Sequence, residues 1–259
     1  NPNVFFAIGF SDLSDPSFWM KSSNPVNVTL DIAHGDMYKA HAATEELRAN
    51  PFVRYIMSGS ICTVGAAIRA IKHGCTHLRI GVGPGAACTT RLKTGVGAPN
   101  LSAVYRIHAH LVANGLRKQV TLIADGGIKE PGDAAKYLAA GADAIMIGGV
   151  LSKVRESAGW LRGVIGADAC LYKSYRGQAS AKFQQAVFGK ANSCPEGASS
   201  KVFYWDDKTY FKTVHEEYRG GIASSCSYIG AHTLTEMREA AQFIKVTSAG
   251  YLEGTPHGV

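Results

Sequence analysis

The sequence predicts an α/β fold with a parallel sheet, and favours a (β/α)₈ barrel over a doubly wound sheet. Short apolar runs rich in β-branched residues alternate with alanine-rich segments of helical pattern. Such alternation is typical of parallel sheets whose strands are buried on both faces. Several runs end in an acidic, hydroxyl or glycine residue: Asp31, Ser58, Gly83, Asp125 and Gly148. Polar residues at this one end favour a barrel, because the carboxyl ends of barrel strands build its active site.

Six strand-helix units follow one another along the chain. The predicted strands lie within Asn3–Phe10, Val26–Gly35, Val53–Thr63, His77–Gly85, Val120–Gly127 and Ala144–Leu151. The helical patterns between them cover Met37–Ala49, Val64–Gly74, Leu101–Asn114 and Pro131–Gly141. Residues 1–259 are therefore interpreted as one barrel domain.

The regular pattern is lost in an excursion at about 160–218, where turns and hairpins are predicted. Connections of this length are usually functional or disordered. Helical patterns return at Tyr218–Ser225 and around Leu234–Phe243, and Phe243–Val246 is predicted as a last short strand.

Composition narrows the classes of function. The chain has 259 residues, 46% of them apolar, and a net charge of +7. Its lysines and arginines are scattered and not interleaved with aromatic residues, which disfavours nucleic acid and favours small anions as ligands. No apolar run is long enough to cross a membrane, and no secretory pattern precedes the first strand. The six cysteines form no C-x-x-C pair, which argues against zinc, and their wide spacing is typical of a reducing, cytoplasmic location.

The segment "GVGPGAACTTRLKTGVGAPN" (Gly81–Asn100) places Cys88 directly after a glycine turn. Glycines let the backbone approach a ligand, and backbone donors or cations there stabilise a thiolate, which is a good nucleophile. Arg91 and Lys93 are close in sequence, and the hydroxyl of Thr89 or Thr90 could relay a proton. The alternative is that Cys88 is a buried packing residue beside a turn.

Two later strand ends carry similar signals. Asp125 is followed by two glycines and can accept hydrogen bonds from two hydroxyls, as in a ribose, although a turn aspartate that caps the next helix is common. Gly148 and Gly149 offer backbone N–H groups of the kind that bind phosphate after late barrel strands. Their alternative role is to allow close packing of helix on strand.

Together these segments closely resemble the IMP dehydrogenase/GMP reductase family of (β/α)₈ barrels. The resemblance runs from about Val4 to Val246 and is carried by "GPGAACTTRLKTGVGAPNLSAV", "DGGIKEPGDAAKYLAAGAD", "MIGGVL", "YRGQAS" and "SSCSYIGA". The sequence around the cysteine is more similar to GMP reductase. The resemblance implies a potassium ion as a possible cofactor, and an oligomer.

The resemblance implies NADPH-dependent reductive deamination of GMP to IMP and ammonia. Cys88 matches the cysteine that attacks C2 of the purine and forms a covalent thioimidate. Thr90 and Glu156 match the residues that handle protons on the departing ammonia. Ammonia is a poor leaving group without protonation, so the chemistry needs such a relay. Without the resemblance, Glu156 would be interpreted as a solvated helix residue.

The resemblance also assigns binding residues. Those for the purine nucleotide are Asp125 at the ribose, Gly127, Gly148 and Gly149 at the phosphate, Tyr175 and Gly177 on a flap, and Gln178 and Ala179 beside the guanine. Asp31 and Ala33 match positions near the nicotinamide. The carbonyls of Gly83, Gly85 and Cys88 match the turn that holds potassium.

The sequence departs from the family pattern in ways that leave alternatives open. Ala86 replaces a phosphate-binding serine, and Ser60 and His34 replace two asparagines. Lys153 or Arg155 could supply the lost phosphate contact. An IMP dehydrogenase is one alternative, although the Arg-Tyr pair that it uses to activate water is absent after Gly177. A non-catalytic subunit that binds purine nucleotides is another.

The resemblance further implies two strand-helix units ahead of Asn3 that this sequence does not contain. A barrel without them would expose sheet edges and apolar surface. We therefore expect another polypeptide or a cleaved segment to supply them.

Overall fold

Six parallel strands form one curled sheet in the computed structural model of this chain, which describes residues 3–13, 24–164, 170–204 and 209–256. The strands are β1 (Phe5–Ile8), β2 (Val26–Leu30), β3 (Val53–Ile61), β4 (His77–Ile80), β5 (Thr121–Asp125) and β6 (Ala144–Met146). They pair in chain order, and every pair is parallel. A doubly wound sheet reverses its strand order, whereas a barrel sheet does not. The described strands thus form a partial (β/α) barrel.

The helices between the strands are α1 (Tyr38–Ala49), α2 (Val64–Lys72), α3 (Thr90–Thr94), α4 (Asn100–Ala113) and α5 (Pro131–Ala139). Four of them start and end close to their predicted positions, whereas the short α3 was not predicted. Local chemistry fixes two of these starts. Thr63 caps α2 by accepting a hydrogen bond from the N–H of Ala66, and Glu130 and Asp133 form a capping box at the start of α5.

The main core lies between the sheet and the helices on its outer side. Leu78 and Ile80 on β4 and Leu122 on β5 are fully buried, and Ile107 and Leu111 of α4 pack in the same cluster. Each such side chain stabilises the fold by about 1.5–3 kcal/mol relative to exposure. On β5, Leu122, Ile123 and Ala124 are buried in succession, and this burial on both faces explains its continuous apolar run.

The excursion contains a small antiparallel sheet, which agrees with the hairpins predicted there. Its strands are β7 (Arg162–Val164), β8 (Cys170–Arg176) and β9 (Ser199–Tyr204), and α6 (Ala181–Phe188) lies between the last two. The chain then returns to the barrel in α7 (Phe211–Tyr228), which begins earlier than the predicted Tyr218. The short helices α8 (Leu234–Ala240) and α9 (Ser248–Glu253) follow.

The strand predicted at Phe243–Val246 is wrong. This segment has no regular secondary structure, and Ile244 is 85% exposed. A short apolar run becomes a strand only where a sheet edge pairs with it, and in the described part of the chain none does. Among the described residues, no helix is long and apolar enough to cross a membrane.

Candidate active site

A cleft of about 800 Å³ opens at the carboxyl ends of the barrel strands, beneath the excursion. A volume of this size suits a nucleotide or a comparable small ligand. Most of the residues predicted for the site line this cleft: Asp31, Ala33, Gly83, Gly85, Cys88, Thr90, Asp125, Tyr175, Gly177, Gln178 and Ala179. The cleft therefore brings together residues from both the barrel and the excursion.

The glycine turn after β4 presents Cys88 next to a hydroxyl. The N–H of Cys88 donates to the carbonyl of Gly85 at 2.9 Å, which closes the turn. The Sγ of Cys88 lies 3.2 Å from the Oγ1 of Thr90, the first residue of α3, and both residues are half-buried. The thiol is thus open to the cleft and in contact with the second threonine of the motif.

A strap formed by Glu196, Gly197 and Ala198 joins the cysteine turn to the excursion. The N–H of Ala198 donates to the carbonyl of Ala87 at 2.7 Å, and the carbonyl of Glu196 accepts from the N–H of Thr89 at 2.7 Å. These bonds hold the strap on both sides of Cys88.

The same strap also holds the turn that carries Gln178. The N–H of Gly197 donates to the carbonyl of Ala179, and the carbonyl of Ala198 accepts from the N–H of Gly177, both at 3.1 Å. Glu196 and Gly197 line the cleft as well. The strap could not be predicted from the sequence, because only a glycine marks it and its contacts lie far away along the chain.

Arg79 is a second cleft residue that the sequence analysis missed. Its Nη1 lies 3.8 Å from Asp31 Oδ1 and its Nε 3.7 Å from Asp125 Oδ2. The arginine side chain is only 13% exposed. On the other side, Gln178 donates its amide to Asp31 at 2.7 Å. The Arg79 guanidinium thus links Asp31, predicted to lie near the nicotinamide, with Asp125, predicted to bind the ribose.

The electrostatic environment of Asp125 is set by these neighbours. Burial raises the pKa of the Asp125 carboxyl, Arg79 opposes this effect and Asp31 adds to it. Burial raises the pKa because it disfavours the charged form, and the guanidinium favours it. Arg79 therefore favours the ionised form of Asp125, the form in which both carboxylate oxygens accept hydrogen bonds.

The predicted phosphate glycines border the cleft and do not line it in the described structure. A Cβ on Gly149 would lie 3.3 Å from the Cβ of Ala86, so the two loops are close together. Gly127 has a φ of +75° and packs beside Pro84, which explains its need for glycine. Gly148 has open space around it.

Glu156 lies elsewhere, at the amino end of α7. Its two carboxylate oxygens accept hydrogen bonds from the N–H of Phe211 at 3.0 and 3.2 Å. A carboxylate is favourable there, because the first N–H groups of a helix have no partner within the helix. Arg155 next to it contacts the hydroxyl of Tyr210. In the described structure Lys153, Arg155 and Glu156 are all absent from the cleft lining.

Two of the departures from the family pattern contact each other. The Nδ1 of His34 lies 3.2 Å from the carbonyl oxygen of Ser60, and Ser60 lines the cleft.

The five cysteines with described side chains, Cys62, Cys75, Cys88, Cys194 and Cys226, are free thiols.

Comparisons with known proteins show which family the chain resembles. A domain profile described as IMP dehydrogenase / GMP reductase domain matches residues 20–257. The chain is 34% identical over 239 residues to inosine-5'-monophosphate dehydrogenase of Escherichia coli K12, which covers 89% of this chain and 47% of that protein. It is 35% identical over 242 residues to the enzyme of that name from Streptococcus pyogenes, covering 90% of this chain and 47% of the relative. The chain thus spans about half the length of the curated relatives it matches.

A solved structure is also similar. It is a cysteine-to-alanine variant of GMP reductase from Trypanosoma brucei in complex with guanosine 5'-monophosphate. The TM-score is 0.86 at 31% sequence identity, and the match covers 98% of this chain and 52% of that one. The domain match, the barrel and the placement of the cysteine turn lead to one conclusion. The chain belongs to the IMP dehydrogenase/GMP reductase family, whose members are purine-nucleotide oxidoreductases.

Proposed function

We propose that this chain catalyses the NADPH-dependent reductive deamination of GMP to IMP and ammonia. The observation that carries the proposal is the 3.2 Å contact between Cys88 Sγ and Thr90 Oγ1 at the wall of a nucleotide-sized cleft. A nucleophile beside a hydroxyl relay is the arrangement that covalent deamination needs.

In this proposal Cys88 attacks C2 of the guanine. Ammonia leaves and the thioimidate remains on the sulfur. Thr90, which contacts the Cys88 thiol, passes the proton of that thiol toward the departing amine. Glu156 was expected from the sequence to share this role, but in the structure it is bound to the N–H of Phe211 and lies outside the cleft lining.

The other cleft residues bind and orient the nucleotide. Asp125 accepts hydrogen bonds from the ribose hydroxyls, and Gln178 and Ala179 contact the guanine. The phosphate would bind at the edge of the cleft, between the lining residues Tyr175 and Gly177 and the bordering glycines Gly127, Gly148 and Gly149. Ala86 gives that site a methyl group in place of a hydroxyl, so backbone N–H groups carry more of the phosphate binding.

Asp31 and Ala33 would hold the nicotinamide. In support, the cleft extends from Cys88 past these residues to Gly9 and Asp12. NADPH, when bound, would supply the hydride to C2, after which the C–S bond breaks, IMP is released and Cys88 returns as the thiolate. The contact between Gln178 and Asp31 supports this arrangement, because it joins a residue predicted beside the guanine to one predicted near the nicotinamide.

A potassium ion fits the chemistry of the cysteine turn. In the described structure no hydrogen bond occupies the carbonyl oxygens of Gly83 and Cys88. Backbone carbonyls are the ligands that replace water around K⁺ in proteins. The carbonyls of Gly83, Gly85 and Cys88 would hold the ion and fix the conformation of the turn.

A second candidate is IMP dehydrogenase activity, the oxidation of IMP to XMP with NAD. It is favoured by the similarity to the dehydrogenases of Escherichia coli and Streptococcus pyogenes. Against it, the only Arg-Tyr dipeptide is Arg54-Tyr55, which lies on β3 and not in the excursion.

One pair of assays distinguishes these functions. The purified protein is mixed with GMP and NADPH, or with IMP and NAD⁺, and the nicotinamide absorbance is followed while the purine product is identified. We expect NADPH oxidation with IMP as product, lost in Cys88→Ala and retained in Cys194→Ala, since Cys194 also lines the cleft. Turnover of IMP with NAD⁺, but not of GMP with NADPH, would establish IMP dehydrogenase activity. Binding of GMP without turnover in either assay would indicate a non-catalytic subunit.

A further inference from the structure

We propose that Asp36 is a positioning residue for the loop between β2 and α1. This loop carries Asp31 and Ala33, the two residues predicted to lie near the nicotinamide, and Asp36 is at its far end. A clamp formed by Arg69 and His41 around the Asp36 carboxylate holds the loop in place. The inference rests on the proposed function for what the loop binds, whereas the contacts of the clamp do not depend on that function.

The Asp36 carboxylate is held by side chains from two different helices. Arg69 of α2 donates through Nε to Oδ1 at 2.8 Å and through Nη2 to Oδ2 at 2.6 Å. The Nε2 of His41, on α1, lies 3.1 Å from Oδ1. The Asp36 side chain is only 14% exposed, and chiefly the hydrogen bond from Arg69 lowers the pKa of its carboxyl, which is therefore ionised at neutral pH. A bidentate contact of this kind fixes orientation as well as distance.

His41 is itself fixed against α2. It is buried, and its ring stacks on that of His73 with 4.4 Å between the ring centroids. The Nδ1 of His73 in turn lies 2.8 Å from the carboxylate of Glu45, which is on α1. The clamp therefore ties the end of the loop to two helices at once.

Helix α1 begins without the side-chain cap that usually fixes the angle between a loop and its helix. In the described structure Met37, the residue before α1, makes no such hydrogen bond. A Ser, Thr, Asp or Asn at this position would accept one from the first turn of the helix. Asp36 is one residue too early for that role and binds Arg69 and His41 instead. The clamp thus does what a cap does at other helices.

The middle of the loop packs directly on the end of β3, where it borders the cleft. The N–H of Gly35 donates to the carbonyl of Ser60 at 3.0 Å, and a Cβ on Gly35 would lie 2.8 Å from the Cα of Gly59. Ser60 and Ala33 both line the cleft. Only three residues separate Ala33 from Asp36, so a shift of the clamped end is passed on to the cleft wall.

The start of the loop is held independently of the clamp. The N–H of Asp31 donates to the carbonyl of Ile8 at 2.9 Å, and the Asp31 carboxylate contacts Gln178 and Arg79. Loss of the clamp should therefore move Ala33 more than Asp31. Cofactor binding should weaken more than binding of the purine nucleotide.

Steady-state kinetics tests this role. We expect Asp36→Asn, which keeps the shape but loses the charge, to raise the KM for NADPH roughly five- to ten-fold while the KM for GMP stays within about two-fold. Arg69→Met should have a similar effect, and the double variant should lose little more than either, because both act through one contact. Arg69→Lys keeps the charge without the bidentate geometry and should be intermediate. Glu46→Gln, an exposed change on α1, is the matched control and should leave both KM values unchanged.

Hydrogen exchange gives a readout that does not require turnover. In Asp36→Asn and in Arg69→Met the amide of Gly35 should exchange faster, because its bond to Ser60 is less well held. It should not change in Glu46→Gln. The Arg69 side chain is 54% exposed, and an exposed ion pair contributes little to stability. Arg69→Met therefore serves as the test variant if Asp36→Asn does not fold.

The outcomes separate the two proposals. If the wild-type protein turns over no purine nucleotide, the proposed function fails, and the exchange of Gly35 alone decides the role of Asp36. Unchanged exchange in both variants would overturn that role. So would equal increases in the KM values for NADPH and GMP, or fully additive losses in the double variant, which are expected of residues that act only on overall stability.

Discussion

Arg79 and Asp125 face each other across the floor of the cleft, with 3.7 Å between the arginine Nε and the aspartate Oδ2. Burial raises the pKa of the Asp125 carboxyl, and the guanidinium of Arg79 lowers it. The two residues are on neighbouring parallel strands, β4 and β5, so the sheet itself fixes their separation. Arg79 therefore controls the pH range over which Asp125 is ionised.

Replacement of Arg79 should make nucleotide binding more sensitive to acid. In Arg79→Met the pKa of Asp125 rises further, since burial and Asp31 then act without opposition. The protonated carboxyl is a weaker acceptor for ribose hydroxyls, so GMP should bind roughly ten-fold more weakly at mildly acidic pH. Titration calorimetry across pH measures this effect. Arg106→Met, an exposed change on α4, should leave the pH profile of binding unaltered.

Substitution of Gly197 should disturb the strap. A Cβ at this position would lie 2.6 Å from the N atom of Ser180, which is backbone and cannot move aside easily. In Gly197→Ala the strap shifts, and kcat/KM for GMP should fall roughly ten- to a hundred-fold, because displacement of a catalytic turn by about 1 Å has effects of this size. Steady-state kinetics measures the loss.

A second glycine provides the comparison for the strap. Gly220 lies within α7 and a Cβ there meets nothing within 4 Å. Gly220→Ala should keep full turnover and gain about 0.5–1 kcal/mol of stability from the better helix former. Equal losses in both variants would contradict a specific role for the strap.

We expect Asp143 to contribute substantially to the free energy of unfolding. It accepts hydrogen bonds from Arg117 at 2.7 Å, from Arg238 at 2.9 Å and from the N–H of Leu122 at 2.8 Å. Asp143→Asn keeps the shape but removes the charge, and should lower the free energy of unfolding by about 1–3 kcal/mol. Thermal or urea denaturation at neutral pH measures the change. Glu239→Gln, exposed on the same helix as Arg238, should have no effect beyond about 0.5 kcal/mol.

The contribution of Asp143 should also disappear in acid. Burial works to raise its pKa, but hydrogen bonds from Arg117 and Leu122 lower it overall below the ordinary 3.8. A carboxyl with a lowered folded pKa stabilises the protein above its unfolded value. That stability is lost as the pH falls below 3.8 and through the lower folded pKa. The difference between wild type and Asp143→Asn should therefore shrink over this range.

Tyr218 should be one of the positions where loss of a polar group stabilises the protein. Its hydroxyl is buried without a hydrogen-bond partner among the described residues, and burial raises its pKa to about 12. Tyr218→Phe keeps the ring and removes the unsatisfied group, so the free energy of unfolding should rise by about 1 kcal/mol. Urea denaturation tests this, and Tyr228→Phe, 91% exposed, should cause no change. A destabilised Tyr218→Phe would mean that the hydroxyl has a partner.

The barrel strands could be predicted because burial on both faces leaves a plain apolar signal. Leu122, Ile123 and Ala124, which are consecutive on β5 and all buried, show that signal directly. Phe243–Val246 is a similar apolar run, but no strand in the described part of the chain pairs with it, and pairing is a property of the whole fold. The early start of α7 was missed for a similar reason, since the carboxylate of Glu156, 55 residues away, satisfies its first turn.

The residues of the candidate site likewise include some that could be predicted from the sequence and some that could not. Cys88, Thr90 and Asp125 could be predicted, because each follows a strand end and the barrel brings those ends together. Arg79 was missed because a single charge inside a strand gives no sign of whether it points to solvent or into the barrel. The strap was missed because its hydrogen bonds to Ala87 and Thr89 join segments more than a hundred residues apart.

The two ends of the excursion are tied together where it leaves and rejoins the barrel. Arg155 and Tyr210 are 55 residues apart in the chain, yet the guanidinium of one contacts the hydroxyl of the other at 3.3 Å. Loop-closure entropy grows only with the logarithm of length, by about 0.6 kcal/mol for each doubling. Insertions or deletions between these ends therefore cost the barrel little. Ligand recognition can diverge in this segment by changes in length, while the barrel that positions the cysteine stays the same.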